Sequence, residues 1–221
     1  MKIAIAGAGV AGSYLGRLLQ KRGHGIEIFE SSKKENHWAV CAWGASRHML
    51  SKFSKQAGLN FDDYIFHVGK ILRMDLPNNI QEYLDLNGLV TYDKHRWEHD
   101  LLEGVKITYG IKCIPETFPF KEYDYVIDCT GLHRTLLPKS KQDFIIPAYE
   151  YLVENIQGME EFYVIGYKAA RGYFWYFPLE NGKGYVGAGD LDKNYYGVGE
   201  FFKQHPEARI VKKIGRPIRL A

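Results

Sequence analysis

The chain has 221 residues, 46% hydrophobic and 25% charged, a length and balance that exclude a disordered tail and supply a core without disulfide or metal. Its three cysteines, Cys41, Cys113 and Cys129, form no C-x-x-C pair, which excludes a disulfide scaffold and a zinc ribbon and implies a reducing, cytoplasmic compartment. Lys and Arg number 29 against 26 Asp and Glu, and the resulting +3 reads as too small and too diffuse for a nucleic-acid footprint, so nucleic acid is set aside as a partner.

Residues 3–6 are a short apolar run bounded by glycine, which reads as a buried parallel strand. The longest apolar stretch, 3–12, falls far short of the ~20 residues that span a bilayer. Its regularly placed glycines and the helical pattern that follows also argue against a secretory signal. Over 10–21, Ala11, Tyr14, Leu15, Leu18 and Leu19 recur at helical spacing, so one face is apolar, and Gly23 supplies a left-handed stop. Residues 26–30 form the second strand. Strand, turn, helix and strand in immediate succession open a Rossmann-like sheet with a right-handed crossover.

The alternation of strand and helix then breaks down. Residues 31–64 read as irregular to helical, and 66–76 and 80–92 as strands, with turn signals at Pro77-Asn78-Asn79 and Asn87-Gly88. A helix over 94–103 leads to strands at 105–109 and 125–129, the second ending at Thr130-Gly131 and rejoining the first sheet. From Phe144 onward the strands, 162–166, 173–178 and 184–188, are rich in aromatic residues and imply an antiparallel sheet. The expected fold class is α/β: a Rossmann-like FAD/NAD-binding sheet from residues 1–65 and 89–142, with an interleaved antiparallel β-sheet substrate domain from 66–88 and 143–221.

Gly7-Ala8-Gly9-Val10-Ala11-Gly12 is G-x-G-x-x-G placed directly after a strand and opening a helix. Gly7 permits the tight turn, Gly9 lets backbone amides around Val10 and Ala11 approach a pyrophosphate, and Gly12 lets the helix lie close to the strand. Glu30 ends the second strand, where its carboxylate can accept both hydroxyls of an adenosine ribose. A 2′-phosphate there meets like charge, which disfavours NADP. The motif alone does not separate FAD from NAD, although Gly16 leans towards the FAD version.

In Tyr173-Phe174-Trp175-Tyr176-Phe177-Pro178, Tyr173, Trp175 and Phe177 share one face of a strand, and Phe174 and Tyr176 the other. Two aromatic faces imply a strand buried on both sides or facing a cavity, and periodicity alone favours core packing. The histidines show no metal spacing: His95 and His99 lack the H-E-x-x-H context and read as a solvent-facing helix. Ser46-Arg47-His48 is no nucleophile constellation, for it has no placed carboxylate or glycine elbow. Arg47 reads either as a surface arginine or as a contact to a flavin phosphate or ring edge.

The Y-x-W-x-F-P stretch, followed by Gly184-Tyr185-Val186-Gly187-Ala188-Gly189, resembles the signature of the geranylgeranyl reductases. These are FAD enzymes of the aromatic-hydroxylase-like flavoprotein superfamily that hydrogenate isoprenoid double bonds. Cys41 resembles the family's cysteine near the flavin, with Ala42 where glycine is usual. Asp93-Lys94-His95-Arg96-Trp97 resembles the Asp-Arg-x-x-Phe segment that starts a helix at the flavin, with Lys94 replacing arginine, and Asp128-Cys129-Thr130-Gly131 resembles the second nucleotide fingerprint.

The resemblance implies FAD as cofactor, held by Gly7, Gly9, Val10, Ala11, Gly12, Glu30, Arg47, Lys94 and Gly131. It implies Cys41 as the catalytic residue and a cavity lined by Tyr173, Trp175 and Phe177 for an isoprenoid lipid reached peripherally at the membrane surface. The third superfamily fingerprint, Gly-Asp followed by small residues, has no match: Gly189-Asp190 runs into Leu191-Asp192-Lys193. The chain therefore reads as an N-terminal portion of the family architecture, expected to hold FAD weakly and to self-associate or take a partner chain. The alternatives are a flavin-dependent aromatic monooxygenase and a nucleotide-binding module without independent activity.

Overall fold

The computed structural model describes residues 1–138 and 144–220, the side chain of Leu220 apart. In chain order the elements are β1 (Lys2–Ala6), α1 (Val10–Lys21), β2 (Gly25–Glu30), β3 (Gly44–Ser46), α2 (Arg47–Ala57), β4 (Ile65–Val68), β5 (Ile71–Leu76), β6 (Ile80–Asp85), β7 (Leu89–Tyr92) and α3 (Lys94–Leu101). They continue with β8 (Lys106–Tyr109), β9 (Tyr125–Asp128), β10 (Phe144–Ile146), β11 (Ala148–Glu154), β12 (Phe162–Gly166), β13 (Gly172–Pro178), β14 (Gly184–Asp190), α4 (Val198–Gln204), β15 (Arg209–Gly215) and β16 (Ile218–Leu220).

The chain divides into two compact units. One comprises Met1–Ala39, Ser51–Phe61 and Lys94–Gln142; the other comprises Val40–Leu50, Asp62–Asp93 and Asp143–Ala221.

The first unit is built on a four-stranded parallel sheet in the order β8-β2-β1-β9. As the unbroken apolar run of β1 implies, Ile3, Ala4, Ile5 and Ala6 are all buried. One face packs Ile3, Ile5, Ile26 and Ile28 against Leu15 and Leu19 of α1 and against Leu102 and Val105. The other face packs Ala4 and Ala6 against Cys113 and Phe118. Helix α1 approaches through small residues, since Gly12, Ser13 and Gly16 are its buried positions. In α3 the buried Trp97 donates its Nε1–H to Ser54 Oγ at 2.8 Å, so the indole carries both burial and a satisfied donor.

The second unit holds a seven-stranded sheet in the order β15-β11-β14-β13-β12-β5-β6, a three-stranded sheet β3-β7-β4 and the ribbon β10-β16. The expected antiparallel sheet is thus present, with one parallel pair, β12 with β5. Its core face packs Val153, Phe174, Tyr176, Val186 and Ala188 against Val198 and Phe201 of α4. Buried Thr91 donates its hydroxyl to the Pro178 carbonyl at 2.6 Å and ties β7 to the end of β13.

Three expectations are corrected here. Residues 66–76 are not one long strand, and 80–92 breaks at the expected Asn87-Gly88 turn: Gly69 N–H bonds the Leu89 carbonyl and Leu86 N–H bonds the Lys70 carbonyl. The hairpin consequently starts as β4–β7 in one sheet and continues as β5–β6 in another. The stretch 40–50 belongs to the second unit, because Gly44–Ser46 pairs antiparallel with β7 and carries 62–65 and 89–93 with it. Finally, 184–188 extends to Asp190, whose carboxylate accepts the backbone amides of Asp192, Asn194 and Tyr195, each at 2.8 Å. Asp190 therefore builds a turn.

Candidate functional site

In the first unit, β1 delivers its last residue to a glycine turn that opens α1. Gly7 has φ +98°, and a side chain there would lie 2.6 Å from the Cys129 carbonyl oxygen. At Gly12 a Cβ would sit 1.9 Å from the Gly7 carbonyl oxygen, so the helix rests on the backbone of the turn itself. Gly9 differs from both, for a Cβ there would meet nothing within 4 Å. Two glycines are thus demanded by the fold and the third keeps an open approach. Gly9 is the N-cap of α1 and the first turn carries no acidic residue. The positive end of the helix, with Val10 and Ala11 exposed beside it, is left to an anion.

Glu30 ends β2 beside this turn, as its spacing implies. One carboxylate oxygen, Oε2, accepts the Ala8 amide at 2.9 Å. The other, Oε1, accepts the Ser32 amide at 2.8 Å, the Ser32 hydroxyl at 2.5 Å and the Ser31 hydroxyl at 3.2 Å. Burial pushes this carboxyl up, but the bonds from Ser32 and Ala8 outweigh it and hold it below the usual glutamate range. Since Oε1 is saturated, a ribose hydroxyl has the remaining lone pair of Oε2 to bond. That is narrower than the symmetric two-hydroxyl contact expected from sequence.

The loop after β9 closes the other side of the turn. Asp128 Oδ1 accepts the Thr130 amide at 2.8 Å and its hydroxyl at 2.6 Å, and Oδ2 accepts the Leu136 amide at 2.9 Å. Thr130 Oγ1 in turn accepts the Thr135 amide at 2.9 Å. Gly131, with φ +61°, stands in a loop whose shape is fixed by these bonds. Burial raises the Cys113 thiol to about 11, with the Asp128 and Glu30 carboxylates adding to it, and burial also raises Cys129. Both remain packed, neutral thiols.

In the second unit the aromatic strand divides as its alternation implies. Phe174 and Tyr176 are buried in the core face, and Tyr173, Trp175 and Phe177 share the other face, opposite Gly189, Gly187 and Tyr185 of β14. Trp175 is 6% exposed and Tyr173 is 36% exposed. The indole lies over Gly187, where a Cβ would come within 2.5 Å of it, and Phe177 meets Phe162 edge-on at 4.9 Å. Trp175 Nε1 is buried with no hydrogen-bond partner among the described residues. Cys41 is exposed. Burial first, then the nearby Cys41 thiol and Glu150 carboxylate, raise the Tyr173 hydroxyl, so the structure brings Cys41, Tyr173 and the buried Glu150 into one neighbourhood.

No family model matches the chain, and no curated protein matches it. Solved structures do. A geranylgeranyl bacteriochlorophyll reductase-like protein from Thermoplasma acidophilum superposes with TM-score 0.75 at 18% identity, over 98% of this chain and 66% of that one. A flavin-dependent brominase superposes with TM-score 0.73 at 12% identity, over 99% of this chain and 67% of its own. A halogenase structure in complex with FAD superposes with TM-score 0.70 at 14% identity, over 98% and 60%. The chain shares the fold of these proteins, one of them solved with FAD bound. It spans about two thirds of the length of the first two.

Two cations expected at the cofactor already have carboxylate partners. Arg47 is an exposed residue that forks onto Asp62, with Nε and Nη2 at 3.0 and 2.8 Å from its two oxygens. Lys94, half-buried, meets the buried Glu98 at 3.6 Å one helical turn away. A flavin phosphate would have to compete with those carboxylates. Residues that the sequence reading passed over are Ser32, which braces the glycine turn from one side as the expected fingerprint residues Asp128 and Thr130 do from the other, Glu150 beside Tyr173, and Trp43. Trp43 holds φ +61°, a rare conformation for a bulky residue. It is pinned by Tyr185 at 5.2 Å and Phe66 at 6.1 Å, two residues after Cys41. Only the serines carried a signal, as hydroxyls directly following Glu30.

Proposed function

We propose that the protein binds FAD through the glycine turn and Glu30 and is an oxidoreductase that reduces isoprenoid carbon–carbon double bonds of a lipid. The observation that carries the cofactor half is the contrast among the three glycines: Gly7 and Gly12 have no room for a side chain, while Gly9 stands open at an uncapped helix start. Such a cradle suits a pyrophosphate, and the buried Glu30 carboxylate selects a ribose with a free hydroxyl over one carrying a phosphate. The residues present fit the adenosine diphosphate half of FAD.

FAD, when bound, supplies hydride chemistry. The chain's own contribution lies in positioning and protonation. An isolated alkene offers no carbonyl to polarise, so orientation against a dry aromatic wall carries the burden. Tyr173, Trp175 and Phe177 provide such a wall in this reading. Tyr173, with its raised hydroxyl, and Cys41 stand beside it as proton donors to the second alkene carbon. The lipid reading is supported by the Y-x-W-x-F-P resemblance and by the reductase-like structural neighbour.

The halogenase and brominase neighbours favour a second reading, an oxygen-using flavin enzyme acting on an aromatic. The test is reconstitution with FAD, followed by visible absorbance of the desalted protein. Anaerobic reduction in the presence of geranylgeraniol should then give a product heavier by hydrogen in mass spectrometry. Hydroxylated or halogenated aromatic product formed only in air would replace the first reading with the second. Absence of any flavin band after reconstitution would remove both and leave a nucleotide-binding module.

A further inference from the structure

We propose that the cleft between α4 and the Phe174 face of the seven-stranded sheet binds an amphipathic zwitterion, an ammonium and a carboxylate on one large apolar body, of which an aromatic amino acid is the simplest case. The cleft holds about 800 Å³, within the range of small-molecule sites. Every residue that lines it belongs to the second unit. Phe174 of β13, Ile165 of β12 and Asp75 of β5 are in register across three strands, as are Tyr176, Tyr163 and Arg73. The cleft therefore lies on the side of the sheet opposite Tyr173, Trp175 and Phe177.

The apolar part of the cleft continues the core. Met159, Tyr163 and Ile165 are half-buried and pack on the cluster that holds Phe174 and Phe201, and all five line the cleft. The charged part is decided by elimination. Arg73 forks onto Asp75, with Nε and Nη2 at 3.3 and 2.9 Å, and lies over the Tyr163 ring at 4.6 Å. Asp75 also accepts Gln81 Nε2 at 2.8 Å and the Tyr163 hydroxyl at 2.5 Å, so this carboxylate is fully engaged and neutralised by its arginine. Glu200 reaches Lys203 at 3.4 Å, and His205 meets Glu207 at 3.2 Å. Of the Lys, Arg, Asp and Glu side chains that line the cleft, Lys70, Glu160 and Glu161 are left. All three are exposed and none has an ion pair among the described residues.

These three stand at one end of the cleft. Lys70 leads into β5, Glu160 and Glu161 lead into β12, and the two strands run parallel with Phe162 opposite Leu72. Charges of opposite sign thus flank the same end without neutralising each other. An ammonium suits the two carboxylates and a carboxylate suits the lysine, while an apolar body lies against Tyr163 and Ile165. A simple organic anion would meet two carboxylates for one lysine, and a simple amine would meet the lysine with nothing to offer it. A solvated rim accounts for exposed charges but not for the half-buried apolar floor beside them.

The proposal stands on this cleft alone, independent of the reaction the protein catalyses. It is tested by ligand-observed NMR titration of the full chain with L-phenylalanine, phenylpropionate, phenethylamine and glycine. L-Phenylalanine should bind with a Kd on the order of 1 mM, as about a dozen non-hydrogen atoms at ordinary ligand efficiency allow. Phenylpropionate and phenethylamine, each lacking one charge, should bind about fivefold more weakly, the upper end for an exposed charge pair. Glycine, without the apolar body, should not bind. K70Q should weaken L-phenylalanine and phenylpropionate and spare phenethylamine. E160Q/E161Q should weaken L-phenylalanine and phenethylamine and spare phenylpropionate. Circular dichroism melts matching the parent would exclude misfolding of these exposed variants. No binding of L-phenylalanine, or binding of glycine or either singly charged compound as tight as the amino acid, would overturn the proposal. So would affinities indifferent to both variants.

Discussion

The three glycines of the turn make opposite demands, and alanine at two of them separates fold from function. At Gly12 the added carbon would stand 1.9 Å from the Gly7 carbonyl oxygen and 3.3 Å from Ile5 Cγ2. That carbonyl belongs to a residue whose own amide is fixed to the Phe29 carbonyl at 2.7 Å, so the clash must be relieved by moving α1 off the sheet. Gly12→Ala should therefore cost about 3 kcal/mol, the upper end of overpacking effects, which lowers the melting temperature by about 6–12 °C for a chain of this size. At Gly9, with φ −75° and no atom near, alanine costs about 0.5–1 kcal/mol at the cap. The loss of unfolded-chain freedom offsets that by about 0.4–1 kcal/mol, and Gly9→Ala should melt within about 2 °C of the parent. Its methyl group nevertheless fills the open approach, so FAD affinity in a fluorescence titration should fall by at least about tenfold. A Gly12→Ala protein that melts like the parent would refute the close contact, and a Gly9→Ala protein with full affinity would refute the cradle.

Further outcomes follow from the same structure. Glu30 has a folded carboxyl held below its ordinary value, so its stabilisation is complete above about pH 4.3, the unfolded value, and is lost as pH falls through the folded value. Glu30→Gln should accordingly lose about 1–3 kcal/mol in urea unfolding at pH 7, and a gap that persists unchanged near pH 3 would contradict this. Thr91→Val removes the bond to the buried Pro178 carbonyl and should cost about 1–3 kcal/mol by the same measurement; a neutral effect would mean that the carbonyl finds another donor. Cys41→Ser should lower alkene reduction with flavin content unchanged, and full turnover would make the thiol a bystander.

The first unit was legible because its signals are local and steric. An unbroken apolar strand, a helix with small residues facing that strand and an acid at the end of the next strand leave few arrangements, and the three parallel strand pairings follow from them. The alternation of residues 173–177 likewise separated Phe174 and Tyr176 from Tyr173, Trp175 and Phe177. The sheet switch of the β4–β7 hairpin was not legible, for it depends on two backbone hydrogen bonds between residues some twenty apart in sequence. The assignment of 40–50 failed for the same reason: three residues, Gly44–Ser46, commit the segment to a partner strand over forty residues downstream.

Charged residues were the least legible part of the candidate site, and the reason is physical. A glycine in a sterically closed turn has one explanation, because no neighbour can substitute for missing volume. A guanidinium or ammonium has many, since any carboxylate within reach satisfies it. Arg47, read either as a surface residue or as a flavin contact, and Lys94, set at the flavin by resemblance, are held by Asp62 and Glu98. Glu30 escaped this fate because its neighbours are amides and hydroxyls, which hold the carboxylate in place without cancelling its charge. A ribose hydroxyl approaching Oε2 thus meets an anion that is already oriented, and the ordering cost of that contact has been met by the fold before any nucleotide arrives.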